Sequence, residues 1–295
     1  MALALLGTAL WGMAPTATKS ALAALDSDTL AFLRLAVAAT VFRTLARAPI
    51  RAALYQRWTW IAGIALGGDF LLYTRGIAQT TASAAGVLVC VEPVVTILLA
   101  IWLLGERWNV YRVTGSVLTL AGALLVGSQS VARNDGAAPT LAGNAMVVAA
   151  ACLWSVYAVA QRKALTDQDW ASRLCAIFCV ASLTCLPLAL VEPHIHWQAP
   201  KQAWMLLAVL VLLCTSGVYI VYARAQQLLD VSVLSLLLAG IPVLSLLFAH
   251  IVLQEPLSKQ LAAAAALVVA GAVALAREPA QEPLRRSVAS LTQTP

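Results

Sequence analysis

The sequence predicts an all-α polytopic membrane protein with ten transmembrane helices arranged as two inverted five-helix repeats. Three observations lead to this fold class. The residue types AVILMFWYC make up 61% of the 295 residues, and the mean hydropathy is +0.86. The apolar residues fall into ten long runs separated by short polar connections. The polar landmarks of the first half of the chain recur in the second half.

The scarcity of charged residues excludes most other classes of protein. Asp, Glu, Lys and Arg make up 11% of the chain, whereas a soluble domain carries roughly 25%. A soluble fold of this length would lack the charged side chains to cover its surface, and a disordered chain would be far less apolar. Because one transmembrane helix needs about 20 mostly apolar residues, the chain has room for about ten.

Each apolar run is interpreted as one helix, because lipid requires every backbone N–H and C=O group to be paired within the protein. The first run contains Trp11, which recurs in the second half of the chain, so we expect a first helix there and not a cleaved signal peptide. The ten runs are residues 2–22, 28–46, 57–79, 82–104, 110–128, 141–163, 170–190, 202–226, 231–253 and 259–276.

The basic residues between the runs predict the orientation in the membrane. With both termini on the cytoplasmic side, the inner segments hold thirteen Lys and Arg residues and the outer segments hold five, as the positive-inside rule requires. Residues 129–140 then form a periplasmic linker, and residues 277–295 form a flexible cytoplasmic tail. We expect a multi-pass protein of a bacterial-type inner (plasma) membrane, in which the net charge of +6 reflects orientation and not nucleic-acid binding.

The internal repeat divides the chain into residues 1–128 and 141–276. A shift of 143 positions places Trp11 on Trp154, and a shift of 149 aligns the later landmarks. Because five helices per repeat is an odd number, the second copy enters the membrane from the opposite side, which favours a carrier that works by alternating access. The residues aligned by the second shift are Tyr73 with Tyr222, Arg75 with Arg224, Ser83 with Ser232, Pro93 with Pro242, Glu106 with Glu255, and Gly122 with Gly271.

These landmarks resemble the EamA-type transporters of the drug/metabolite transporter superfamily. Pro93 precedes Glu106 by thirteen residues, and Pro242 precedes Glu255 by the same spacing, which is similar to the helix-end signature of that family. The resemblance covers residues 2–276. It implies a ten-helix fold, a solute cavity lined by helices 1, 3, 4, 6, 8 and 9, and export of amino acids, other metabolites or toxic solutes.

The two repeats differ where the chemistry of a site would be decided. Trp11–Gly12 in the first helix is similar to the family pattern, but Ser155 stands at the position of Gly12 in the second repeat. Ile241 likewise stands where the first repeat has Glu92. The resemblance therefore implies an asymmetric site.

Three ionisable residues lie deep inside predicted helices. Asp69 and Glu92 each stand about eleven residues from the turn between helices 3 and 4, so a rise of about 1.5 Å per residue puts both near mid-membrane. Arg34 in helix 2 lies slightly shallower. Such groups usually face a cavity or each other. We expect Glu92 or Asp69 to bind a proton or a solute amino group, and Arg34 to bind a carboxylate or to clamp the second acid. The alternative is a static ion pair that holds helices 2, 3 and 4 together.

Aromatic and polar side chains at the same depth are candidates for the walls of the solute pocket. Trp11 and Trp154 lie near the centres of helices 1 and 6, deeper than tryptophan usually lies in membranes. Tyr73 is four residues from Asp69 and shares its helix face. Such a pocket suits an amino acid and offers cation–π contact to its ammonium group, whereas core packing is the alternative. The candidate pocket residues are Trp11, Tyr73, Thr96, Trp154, Tyr157 and Tyr222.

Two prolines, two glutamates and a GxxxG motif are expected to have structural roles. Pro93 and Pro242 are expected to kink helices 4 and 9, because proline lacks a backbone N–H and frees a carbonyl one turn back. Glu106 and Glu255 stand at helix ends, where a capping or pairing role is favoured over gating. The GxxxG motif at 63–67 predicts close helix packing within the chain.

No motif in the sequence predicts a catalytic centre, a cofactor or a metal. HExxH, GxSxG, nucleotide-binding and dinucleotide-binding motifs do not occur, and the six cysteines lie inside apolar runs without a CxxC pair. We therefore expect a secondary active exporter of small organic solutes, with the proton as a candidate coupling ion. Its partners would be the solute and the lipid bilayer. A passive channel or facilitator and a membrane-embedded enzyme are the alternatives.

Overall fold

The computed structural model describes residues 2–104, 109–132, 140–163, 169–191, 193–221 and 240–277. Apart from an isolated bridge between Leu25 and Ile195, these described residues contain no β-structure. The helices, numbered in chain order, are α1 (Ala2–Ala21), α2 (Ser27–Leu45), α3 (Arg51–Leu54), α4 (Arg57–Gln79), α5 (Ala82–Leu88), α6 (Glu92–Leu104), α7 (Val110–Ala132), α8 (Leu141–Lys163), α9 (Trp170–Ala189), α10 (Lys201–Val211), α11 (Ile241–Leu253) and α12 (Lys259–Ala276).

Five helical stretches are long and apolar enough to cross a membrane, so the structure agrees with a polytopic membrane protein. They are Ala82–Leu99, Leu141–Gln161, Trp170–Ala189, Lys201–Val221 and Lys259–Ala276. Two shorter apolar helices cover Val110–Val126 and Ile241–Leu253. The predictions for Glu106, Tyr222, linker residues 133–139 and tail residues 278–295 concern parts of the chain outside the described residues.

Two of the membrane-capable stretches depart from regular α-helix. The predicted helix over 82–104 divides into α5 and α6, with a 3₁₀ segment at Val89–Val91 between them. Pro93 is the second residue of α6, and its missing N–H removes one hydrogen bond of a continuous α-helix at this point. The second departure is a π-helical segment at Leu212–Gly217, which connects α10 to the helical residues 218–221.

Helix α4 packs against both α8 and α9. A methyl group at Gly63 would lie 2.5 Å from Val180 Cβ, and one at Gly67 would lie 2.7 Å from the carbonyl oxygen of Ala181. Any larger residue at these two positions would push α9 away. This close approach confirms the packing role predicted for the GxxxG motif at 63–67.

The turn between α1 and α2 is tied to the connection between α9 and α10. Asp26 caps α2, because its Oδ1 accepts hydrogen bonds from the backbone N–H groups of Asp28 and Thr29, both at 3.0 Å. Its Oδ2 accepts a third bond from the backbone N–H of His194 at 3.1 Å. One carboxylate thus satisfies the helix start and anchors a distant loop.

These hydrogen bonds determine the pKa of Asp26. Burial alone would raise the pKa of this carboxyl group, but the hydrogen bonds from Thr29, His194 and Asp28 outweigh burial and hold the pKa below its ordinary value. A carboxyl group with a lowered folded-state pKa stabilises the fold above its unfolded pKa of about 3.9. That contribution is lost as the pH falls through the folded-state value.

Replacing Asp26 by alanine should lower the free energy of unfolding at neutral pH by about 1 kcal/mol, because α2 loses its N-cap. Thermal melting of the detergent-solubilised protein measures this loss. The difference from the wild type should shrink as the pH falls below about 4 towards the lowered folded-state pKa, where the wild-type carboxylate takes up its proton. Asp26→Asn is the matched control, since asparagine also caps helices. Equal melting of the alanine variant and the wild type would contradict the capping role.

Candidate functional site

Arg34 on α2, Asp69 on α4 and Glu92 at the start of α6 lie close enough for their charges to interact. The Asp69 carboxylate interacts electrostatically with both the Arg34 guanidinium and the Glu92 carboxylate. The exposed fraction is 4% for Arg34 and 8% for Asp69, and Glu92 is half-buried. The structure thus brings together the three charges that the sequence places at similar depth.

The Arg34 guanidinium is held by groups from three other segments. Its Nε donates a hydrogen bond to Thr215 Oγ1 at 3.1 Å, and its Nη1 donates to Thr18 Oγ1 at 3.5 Å. Its Cζ atom lies 4.5 Å from the centre of the Phe70 ring, a cation–π contact. Sequence reasoning missed these three partners, because only the packing of α1, α4 and the π-helical segment against α2 brings them together.

Asp69 has no comparable support. Its carboxylate makes neither a hydrogen bond nor a direct ion pair with any residue in the described ranges. The side chains of Tyr73 and Tyr219 lie within electrostatic reach of it. An ionised carboxylate inside a membrane protein costs several kcal/mol if nothing accompanies it. Asp69 is therefore the group in this site most in need of a proton or a cationic ligand.

Glu92 is placed by the junction between the 3₁₀ segment and α6. Its Oε1 accepts a hydrogen bond from Thr96 Oγ1 at 3.2 Å, one helical turn onward. The Glu92 backbone carbonyl accepts a hydrogen bond from Ser155 Oγ of α8 at 3.0 Å. Two of the predicted site residues, Glu92 and Thr96, thus contact each other directly.

An aromatic cluster lies beside the charged groups and centres on Tyr219. The ring centroids of its five partners lie 5.0–6.5 Å from that of Tyr219. Trp11 and Trp154, which the repeat relates, meet edge to face at 6.3 Å. Tyr219 also lies within electrostatic reach of Arg34. The aromatic cluster consists of Trp11, Phe42, Trp154, Tyr157, Phe178 and Tyr219.

The predicted residues outside this cluster are placed differently. Tyr73 packs against a second apolar core that α5 and α12 share, while its phenol group remains within electrostatic reach of Arg34 and Asp69. Pro242 is the second residue of α11, so the described part of that helix begins one residue before the proline. The kink predicted at Pro242 stays a prediction.

Two clefts that the described residues form on the surface are not lined by the charged groups. A cleft of about 280 Å³ lies between α11 and α12 and is lined by apolar side chains such as Val243 and Leu246. A polar cleft of about 470 Å³ lies at the start of α2, where Asp26, Arg75 and His194 face it. Neither lining includes Arg34 or Asp69.

One end of the bundle is closed around the turn formed by residues 79–83. The Glu255 carboxylate accepts hydrogen bonds from the first two N–H groups of α5, at 2.8 and 3.0 Å, which confirms the capping role predicted for this residue. Lys19 Nζ donates to three carbonyl groups at the end of α4 and just after it, at 2.6–3.2 Å. An anion at the start of a helix and a cation at its end both interact favourably with the helix dipole.

Buried charges and a cluster of aromatic rings inside a bundle of membrane-capable helices are typical of integral membrane transporters. The family model described as the EamA-like transporter family matches residues 1–128 and again residues 141–277. This chain belongs to the EamA-like transporter family, as the resemblance of its sequence motifs indicated.

The relatives of this chain are transporters. The aromatic amino acid exporter YddG of Ancylobacter novellus is 30% identical over 234 residues, which cover 77% of this chain and 79% of that protein. The uncharacterized inner membrane transporter YhbE of Escherichia coli K12 is 24% identical over 212 residues, covering 66% of this chain and 65% of that protein. A solved crystal structure, 27% identical in sequence, superimposes with a TM-score of 0.66 over 92% of this chain and 94% of that chain.

The family match and the similar proteins decide whether the chain is a transporter or a membrane-embedded enzyme. The chain is a transporter and not a membrane-embedded enzyme. Its partners accordingly include a small-molecule solute and the lipid bilayer.

Proposed function

We propose that this chain is a secondary active transporter that exports amino acids or related small organic solutes across a bacterial-type inner membrane by alternating access. The observation that carries the proposal is Asp69. It is a buried carboxylate near Arg34 that has no hydrogen-bond or ion-pair partner among the described residues. A carboxylate in this position is stabilised by a positive group that binds reversibly, and a proton or the ammonium group of a solute is such a group.

The side chains around Asp69 favour an amino acid with an aromatic side chain. Arg34 offers N–H donors to a carboxylate, Asp69 attracts an ammonium group, and the rings of the aromatic cluster offer apolar and edge-to-face contacts. The relative named as an aromatic amino acid exporter supports this choice. Glu92, Tyr73 and Thr96, together with Trp11, Trp154, Tyr157 and Tyr222, are proposed to bind the solute or its coupling ion.

The proposed fold has ten transmembrane helices in two inverted repeats, residues 1–128 and 141–276. The packing of the helices supports it. Helix α2 packs on α9, and α7 packs on α12; in each pair the two helices occupy the same position in their repeats. Helix α1 packs on α10 and α11, while α8 packs on α4 and α6. A two-fold axis in the membrane plane exchanges these last two sets of contacts.

Two hydrogen bonds follow the same exchange. Ser155 of α8 donates to the carbonyl of Glu92 in α6, and Ser245 of α11 donates to the carbonyl of Gly12 in α1, both at 3.0 Å. Gly12 and Ser155 are equivalent in the repeat, as are α6 and α11. A hydroxyl-to-carbonyl bond thus joins each of the two equivalent helix pairs, with the donor and acceptor helices reversed between them.

The proposed orientation places both termini in the cytoplasm, with residues 129–140 as a periplasmic linker and residues 277–295 as a flexible cytoplasmic tail. The excess of thirteen over five basic residues on the inner side supports it. The turn at 79–83 then lies on the periplasmic side, and its caps close that side of the bundle. Solute would enter from the cytoplasm and leave when this side opens.

A proton is the proposed coupling ion. The Asp69 and Glu92 carboxylates lie within electrostatic reach of each other, and two such groups in a low dielectric cannot both be charged at low cost. One of them would hold a proton during the return step and release it when the solute ammonium group arrives. Export of solute is thereby exchanged for entry of protons.

Counterflow in proteoliposomes tests the proposed function. Liposomes that contain the purified protein and unlabelled L-phenylalanine should transiently accumulate external labelled L-phenylalanine above its equilibrium level. A passive channel or facilitator of the pore type would equilibrate the label without this overshoot. Absence of flux for each of the twenty standard amino acids, in protein that is folded and reconstituted, would overturn the proposal.

Replacing Glu255 by glutamine should loosen the periplasmic side. A single amide oxygen cannot accept both bonds that the carboxylate receives from α5, and the favourable interaction of its charge with the helix start is lost. We expect a membrane-impermeant maleimide to label the reporter Ser83→Cys at least about threefold faster, in line with a loss of ~1 kcal/mol.

The matched control for this prediction is the neighbouring residue. Among the described contacts, the Gln254 side chain bonds only to the carbonyl of Ile251 in α11, at 2.9 Å. Its backbone is left-handed, with φ 56°, and asparagine tolerates that conformation, so Gln254→Asn keeps both the amide group and the backbone. This control should leave the labelling rate unchanged. Equal rates for Glu255→Gln and the wild type, both carrying the reporter, would refute the closing role of Glu255.

A further inference from the structure

Arg34 and Asp69 interact without forming a direct ion pair, and this separation needs a physical cause. Opposite charges attract strongly in a protein interior, and both side chains are buried. Even so, no salt bridge joins Arg34 to Asp69 within the described part of the chain. The other contacts of the guanidinium decide where it lies.

The contacts of Arg34 supply that cause. Thr215 binds Nε, Thr18 binds Nη1, and Phe70 lies against the face of the guanidinium. The bond to Thr215 is the shorter of the two hydrogen bonds, at 3.1 Å against 3.5 Å. Because a guanidinium carries five N–H donors, two of them can be used for anchoring while others remain available to a ligand.

Thr215 reaches Arg34 from the π-helical segment Leu212–Gly217. Its hydroxyl donates to the carbonyl of Leu210 at 2.8 Å, and the Ser216 hydroxyl donates to the carbonyl of Val211 at 3.1 Å. Both acceptors lie five residues back. A π-helical turn leaves such carbonyls short of their usual partners, and it recurs at functional sites of other proteins. The segment thereby presents one fully buried hydroxyl to Arg34.

We propose that Thr215 is a positioning residue that keeps Arg34 apart from Asp69, so that a single α-amino acid bridges them. The solute carboxylate binds Arg34 and the solute ammonium group binds Asp69. This inference rests on the proposed function and deepens it, because it names solutes that carry both charges on one carbon atom. Without the Thr215 hydroxyl, the guanidinium is free to pair with Asp69 and to displace the solute carboxylate.

The test compares two probes that differ in the carboxylate alone, L-phenylalanine and phenethylamine. Their affinities are measured by titration calorimetry on the purified protein in detergent. Thr215→Val preserves the shape of the side chain and removes the hydroxyl, and it should weaken L-phenylalanine binding by about tenfold or more. The affinity for phenethylamine should fall by less than that for L-phenylalanine, because this probe loses only the part of Asp69 that Arg34 occupies, whereas L-phenylalanine also loses its carboxylate partner. Thr215→Ser should restore L-phenylalanine binding.

Ser216→Ala is the matched control, since it removes the equivalent bond of the π-helical segment without touching Arg34. It should leave both affinities unchanged. Equal weakening of both probes by Thr215→Val, or no weakening of either, would overturn the proposal. If Thr215→Val does not fold, Thr18→Val removes the other hydroxyl, and an unchanged ratio of the two affinities there overturns it equally. Wild-type protein that binds neither probe would instead contradict the proposed function itself.

Discussion

Replacing Asp69 by asparagine should abolish solute transport driven by a pH gradient. Asparagine has nearly the size of aspartate, but it binds neither a proton nor an ammonium group with comparable strength. A hydrogen bond between charged groups contributes up to about 3 kcal/mol, so we expect the initial rate in proteoliposomes to fall by about a hundredfold. The variant should remain folded, because Asp69 makes no hydrogen bond with the described residues that asparagine would lose.

Asp28→Asn is the control for this experiment. Asp28 forms a bidentate ion pair with Arg75, with both contacts at 2.7 Å, and this pair is more exposed than Arg34 and Asp69. Its loss should cost no more than about 1 kcal/mol of stability, and transport should persist. Glu92→Gln should reduce transport less than Asp69→Asn does, since the amide retains a hydrogen bond with Thr96. Full transport that still depends on pH in both the Asp69 and the Glu92 variants would eliminate the proton-coupling mechanism.

Methionine in place of Arg34 should both stop transport and lower the free energy of unfolding. Removing one member of a buried, opposite-charge set leaves the other uncompensated, at a cost of about 3 kcal/mol or more. Thermal melting in detergent measures the stability, and counterflow measures transport. Arg34→Lys keeps the charge but loses the planar fork that binds a carboxylate bidentately. It should therefore retain stability better than transport.

The double variant Arg34→Met with Asp69→Asn separates the two effects. Because the uncompensated carboxylate is gone, it should recover part of the stability that Arg34→Met loses, while transport stays absent. Stability losses that simply add would contradict an electrostatic coupling between Arg34 and Asp69. Normal counterflow in Arg34→Met would remove Arg34 from the solute site altogether.

The positions of the helices along the chain could be predicted from the sequence, because each apolar run forms a helix and the polar connections mark its ends. The runs predicted at 57–79, 141–163 and 259–276 coincide with α4, α8 and α12. Depth within a helix was equally accessible, since the rise per residue is constant. That is why Asp69 and Glu92 could be grouped before their contacts were known.

The contacts between neighbouring helices could not be predicted in this way. A run of apolar residues does not specify which face of a transmembrane helix meets its neighbours, because lipid and protein interior are both apolar. Nothing in the sequence therefore indicated that Thr18 and Thr215 would hold Arg34, or that Tyr219 would be the centre of the aromatic cluster. Pro93 indicated the break before α6, whereas no comparable residue marks the π-helical segment.

The π-helical segment Leu212–Gly217 changes the direction in which the side chains after it point around the helix axis. A π-helical turn accommodates one residue more than an α-helical turn, so residues 218–221 are rotated by about 100° relative to a helix without it. Tyr219 lies just beyond this offset. Deleting one amino acid from the segment would restore an ordinary α-helix and turn the Tyr219 ring away from its five aromatic neighbours. A single-residue insertion or deletion here would therefore alter the proposed solute site more than many substitutions would.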